Sequence, residues 1–258
     1  WSDLFAKLDR LHKHQLAVCP MSGVQRMESL FNSRLTEKLR TINEHLAGGV
    51  RFIDRDSIQG IQIAEALEAF LEDGDVELDP SDVINGNLQH WTDKVRISVN
   101  VGLEDLERAE AQGLRDRRFR QLTEYRERIE NSPGKAFDGY FSETIDDAPE
   151  LLNLLGNIAI LRRIFDRNDV DQGAREAKLR DFAGSGQLRE MPMLVVWAAL
   201  MAAYAIEISQ ERASELKPSL YFDFSGISSY MPYCDAIFVD RECARLLEMA
   251  QEAGVNLG

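Results

Sequence analysis

The sequence predicts an α/β fold: a small parallel sheet flanked by helices, carrying a large all-helical insertion. Three observations predict it. Apolar residues recur at helical spacing along most of the chain. Short apolar or aromatic runs, Val50-Arg-Phe-Ile53, Leu220-Tyr-Phe222 and Ala236-Ile-Phe-Val239, stand between helical stretches, as strands do in βαβ units. The helical middle, about 56–190, is too long for a simple crossover, so it reads as an insertion into a core built from about 1–55 and 191–258. With 258 residues, 44% hydrophobic and 29% charged, the chain has the composition of a folded globule, which excludes wholesale disorder. Its length fits the single domain 1–258 that this division implies.

Taken in order, Leu4, Phe5, Leu8 and Leu11 give an amphipathic helix over 2–14. Gln15 to Pro20 reads as extended and stopped by proline. Ser22 is an N-cap for a second helix whose apolar face holds Val24, Met27, Leu30 and Phe31. Gly48-Gly49 ends that region and Val50–Ile53 is a short strand. Helices follow over 57–71, 81–97, 103–131, 147–166 and 171–183, with Asn131-Ser-Pro-Gly134 as a break. Met193–Ile206 is an apolar run of 14 residues, short of the 18 to 20 that a membrane span needs, so a buried helix over 191–211 is expected. Residues 241–253 form another helix, and Val255–Leu257 begins a last strand.

Lys and Arg number 30 and Asp and Glu 44, so the formal charge is 30 − 44 = −14, which argues against a surface coated for nucleic-acid binding. A local groove remains compatible with it. Cys19, Cys234 and Cys243 have no disulfide or zinc spacing, which suits a reducing, cytoplasmic setting. The opening Trp1-Ser-Asp-Leu-Phe5 lacks the pattern of a signal peptide. His12 and His14, two apart on a helix, do not share a face and read as solvated. Phosphate-cradling glycine loops and the Gly-x-Ser-x-Gly nucleophile motif are absent.

Carboxylates carry the chemistry instead. Ligands of parallel sheets collect beyond the carboxyl ends of strands. Asp240 follows the run Ala236–Val239 and Asp223 follows Leu220–Phe222. Each also reads as a helix N-cap, Asp235 as a turn residue, and Glu28 as a solvated helix residue. The densest basic stretch holds Arg115, Arg117, Arg118, Arg120, Arg126 and Arg128. It is either a phosphate-contacting surface or a solvated helix face with pairs such as Glu124–Arg128. Tyr230 and Tyr233 read equally as base-stacking or core aromatics, while Trp91, Trp197 and Tyr204 read as core.

The segment Pro20-Met-Ser-Gly-Val-Gln-Arg-Met-Glu28 resembles the second motif of PIN-like nuclease domains, and Asp223 to Asp240 resembles their third and fourth motifs together. The stretch Tyr-Met-Pro-Tyr-Cys-Asp-Ala, 230–236, is similar to a bacterial branch of that family. The likeness covers about 40 residues at the start and 60 at the end. It implies a metal site of Glu28, Asp223 and Asp240, with Asp235 as an extra member, holding Mg²⁺ or Mn²⁺. It implies hydrolysis of RNA phosphodiester bonds by a metal-activated water, in a toxin or defence effector with an antitoxin or a second copy as partner and no membrane. Two features depart from the family. Its first-strand Asp has no counterpart, because the chain opens at Trp1 and Asp3 is inside a helix. Val239 also replaces the Ser or Thr that often precedes the last Asp. The alternatives are a catalytically inactive binding or scaffold protein of the same fold, acting through its helical insertion, and an unrelated α-helical regulator whose C-terminal likeness is accidental.

Overall fold

The computed structural model describes residues 2–25, 36–86, 88, 104–147, 158–213 and 216–257. These form two compact units, one of residues 1–55 and 80–118, the other of 56–79 and 119–258. Both are mostly helical. The expected parallel sheet is not found: among the described residues the sheet has two strands, β1 (Arg51–Phe52) and β2 (Ile84–Asn85), and they run antiparallel. The one parallel contact among them is an isolated bridge between Met21 and Arg51. Residues 1–55 and 191–258, expected to share a core, fall in different units.

In the first unit, α1 (Ser2–Lys13) and α2 (Thr36–Ala47) are joined by Asp9, which accepts from Lys13 and from His45 Nε2, each at 2.7 Å. Lys13 first and then His45 hold the Asp9 carboxyl below its ordinary value. His14 is exposed as expected, but His12 is 5% exposed, its ring centroid 5.4 Å from that of His45. Ser22 starts a helical turn at 23–25: its hydroxyl accepts from Gln25 N, and its own N–H donates to Gln25 Oε1. This reciprocal pair satisfies two amides that a helix start leaves open. Arg51 pairs with Asn85 and Phe52 with Ile84, the second strand following directly on the one-turn α4 (Pro80–Val83). Gly86 follows at φ +127°, where an added Cβ would stand 2.9 Å from Val50 Cα, so only glycine fits this close approach.

The second unit is built around α10 (Pro192–Ser209). By length and composition this helix is apolar enough to cross a membrane, and 14 of its 18 residues are buried within the protein. A helix packed on every side needs no polar face, which accounts for its composition. It packs against α6 (Phe137–Asp146), α11 (Leu220–Tyr230) and α12 (Arg241–Glu252). Pro192 starts it at a position where a missing amide hydrogen costs little. The amide of Met193 is met from α3 (Arg55–Glu72): the fully buried Gln62 accepts from it at 3.0 Å and donates to Tyr233 Oη at 2.9 Å. A second core cluster joins Ile63, Ala66 and Leu67 of α3 to α7 (Ile158–Arg167), α8 (Arg175–Ala183), the short α9 (Gly186–Arg189) and α10. The 28-residue α5 (Glu104–Asn131) carries the basic run.

The two C-terminal segments expected as strands are not strands. Leu220–Phe222 forms the first turn of α11, because its aromatic side chains bury on helical spacing against α10, with the Trp197 and Tyr221 rings 5.1 Å apart. Residues 236–239 are assigned to no strand, and among the described residues no strand pairs with them. Residues 255–257 make no strand either.

Candidate cation site

Asp240 is the N-cap of α12. Its Oδ1 accepts from Cys243 N at 2.7 Å, so the helix-cap reading describes one of its oxygens. Asp223 lies not before α11 but in its first turn, where a carboxylate complements the positive helix end. The starts of α11 and α12 are brought together, and one oxygen each of Asp223 and Asp240 and the Sγ of Cys243 lie within 4.8 Å of one another. Asp240 is exposed, Asp223 half-buried and Cys243 1% exposed.

A cation already stands beside these acids. Lys217 Nζ donates to Glu242 Oε2 at 2.7 Å. That bond, with smaller help from the charges of Asp240 and Asp223, holds the ammonium above its ordinary value. Burial first, then the charges of Asp240 and Asp223, pushes the Cys243 thiol well up. At neutral pH it is therefore a thiol, and a metal that binds it must displace its proton. One expected result follows from the sign of these effects. Asp240→Asn removes a neighbouring negative charge, lowers the pH at which Cys243 ionises, and speeds its labelling by iodoacetamide in EDTA. Peptide-resolved mass spectrometry across pH 7–10 measures this, and an unchanged rate would refute the electrostatic account.

The remaining expected site residues are placed as follows. Glu28 lies outside the described residues. Asp235 is exposed in the bend after the 3-10 turn Met231–Tyr233 and is not one of the three clustered groups. Arg115, Arg117, Arg118 and Arg120 lie on α5, with Arg117 and Arg120 exposed and Arg115 and Arg118 half-buried. Farther along that helix, Arg126 pairs with Glu130 and Arg128 lies over the Tyr125 ring. Tyr230 and Tyr233 are 5% and 8% exposed, so neither presents a face for a base to stack on. Trp197 and Tyr204 are core, and Trp91 lies outside the described residues.

Sequence reading missed Cys243 and Lys217. The signal for Cys243 was its place three residues after a capping Asp, where the cap folds the chain back toward the carboxylate. The two oxygens suit Mg²⁺ or Mn²⁺, whereas sulfur is a softer donor that Mg²⁺ accepts poorly and Zn²⁺ accepts well. The donor set therefore fits a divalent ion with open positions left for water. No protein-family model matches the chain, and neither a curated protein nor a solved structure matches it.

Proposed function

We propose that the protein binds a divalent cation, Mn²⁺ in preference to Mg²⁺, at Asp223, Asp240 and Cys243, and that it uses this ion to hydrolyse RNA phosphodiester bonds. The observation that carries the proposal is the convergence of two carboxylates and a thiol from two helix starts within 4.8 Å. Such an ion supplies a water of lowered pKa and charge stabilisation at the phosphate. Asp223 and Asp240 hold the ion, and the Asp240 cap bond fixes the carboxylate that faces it. Lys217 is placed to meet phosphate charge when a metal takes over the neutralisation of the acids. The exposed Arg120 offers positive charge for an RNA backbone.

A second reading has its own support. Asp240 is engaged as a cap and Lys217 already offsets local charge, as in a purely structural network of a binding or scaffold protein. Two measurements separate the readings. Calorimetry with Mn²⁺ is expected to show one site, weakened about tenfold or more by Asp223→Asn or Asp240→Asn. Single-stranded RNA with Mn²⁺ is expected to be cut by the wild type and spared by Asp240→Asn. Asn still caps a helix, so lost activity in that variant is not lost folding. No Mn²⁺ binding defeats the proposal; binding without cleavage leaves a cation site and removes the nuclease.

A further inference from the structure

The chain between the 3-10 turn and α12 is extended at both ends and, among the described residues, pairs with no strand. Cys234 leaves the turn at φ −122°, ψ 136°, and Asp240 enters α12 at φ −70°, ψ 170°, both extended. Between them burial alternates. Ile237 and Val239 pack on the core, whereas Ala236 and Phe238 face solvent, and Phe238 is 66% exposed. Residues 236–240 take part in no strand bridge, and among the described residues the backbone amides and carbonyls of 235–239 make no backbone hydrogen bond. A row of unpaired backbone groups beside an exposed aromatic is a template for an added strand.

We propose that residues 235–240 form a docking edge that takes an extended, basic segment of a partner protein as a second strand. Charge selects that occupant. Asp235 and Asp240 close the segment at its two ends, both exposed, and Asp223 clusters with Asp240. An incoming strand with Lys or Arg at both ends meets these acids, and a β-branched or aromatic residue packs beside Phe238. A second copy of the chain fits worse, because it carries the same charge of −14 and brings the same aspartates to the edge. The inference does not depend on a bound cation or on RNA cleavage.

The probe is a fluorescein-labelled peptide, Lys-Thr-Val-Phe-Val-Thr-Lys with blocked ends, added to the full chain in EDTA and followed by fluorescence anisotropy. Saturable binding is expected. It should weaken about tenfold or more when the peptide's two Val amides are N-methylated, when its Lys ends become Glu, and when the protein carries Phe238→Lys. Phe238 is largely exposed, so that variant should keep the wild-type circular dichroism spectrum, which is recorded alongside. Absence of saturable binding overturns the proposal, as does equal binding by the methylated peptide or by the folded Phe238→Lys protein. Self-association of the wild type that Phe238→Lys abolishes, seen by sedimentation, assigns the edge to a second copy and also overturns it.

Discussion

Replacing Arg245 by Met is expected to lower the stability of the second unit by about 3 kcal/mol, the lower end of the range for breaking a buried pair, since Arg245 is partly exposed. The two terminal guanidinium nitrogens of Arg245 donate one to each carboxylate oxygen of Glu207, whose side chain is 4% exposed against 45% for Arg245. Glu207 occupies the last turn of α10, where the helix dipole already disfavours an anion. Without its partner the carboxylate is left buried among apolar neighbours. Glu207→Leu combined with Arg245→Leu should recover most of the loss, because exchanging both charges for apolar groups leaves nothing unpaired. Urea denaturation measures both variants. A single-variant loss below about 1 kcal/mol would mean that solvent reaches the carboxylate.

Phe224→Ala is expected to cost about 4 kcal/mol, in the range measured for removing a buried ring. Phe224 is fully buried and meets two rings edge-on: Trp197 at 6.4 Å and 84°, Tyr204 at 6.0 Å and 81°. The loss combines transfer of the ring, the cavity left behind and two aromatic contacts. Phe224 also follows Asp223 in α11, so its removal loosens the helix start that carries the carboxylate. Phe224→Leu, which keeps most of the volume, should cost less than half as much. Denaturant midpoints test the pair, and equal losses for Ala and Leu would point to the aromatic edges rather than to the cavity.

Several helices were legible because their signal is local, whereas Phe137–Asp146 was not read and the helix expected over 81–97 gives way to a strand at Ile84. The spacing of Leu4, Leu8 and Leu11 gave 2–14 for a helix that spans Ser2–Lys13, and the apolar run near 193–206 gave 191–211 for Pro192–Ser209. The short strand read at Val50–Ile53 is present as Arg51–Phe52, but its pairing and the rest of the sheet were not legible, because a strand is defined by its neighbour and the neighbour is distant in sequence. Ala236–Val239 has the correct alternation, yet alternation states only which face is buried. Leu220–Phe222 shows the opposite error: three large side chains suit a strand in isolation, and the surface of α10 decided for helix. Of the candidate site, the two aspartates were singled out as following short runs expected as strands, which are not strands, and the helix-cap reading holds for Asp240 alone. Cys243 was passed over as an isolated thiol, since its proximity to Asp223 arises from how α11 and α12 are seated, 20 residues apart along the chain.

Gln62 also has a bearing on how the protein is made. Its two amide bonds reach residues 131 and 171 positions later. During synthesis α3 leaves the ribosome long before either partner exists, with a glutamine committed to the interior and an apolar face beside it. Closing loops of that span is slow, and the waiting surface is of the kind that chaperones shield. The amide that pins the start of the central helix is thus among the last bonds a newly made chain can form.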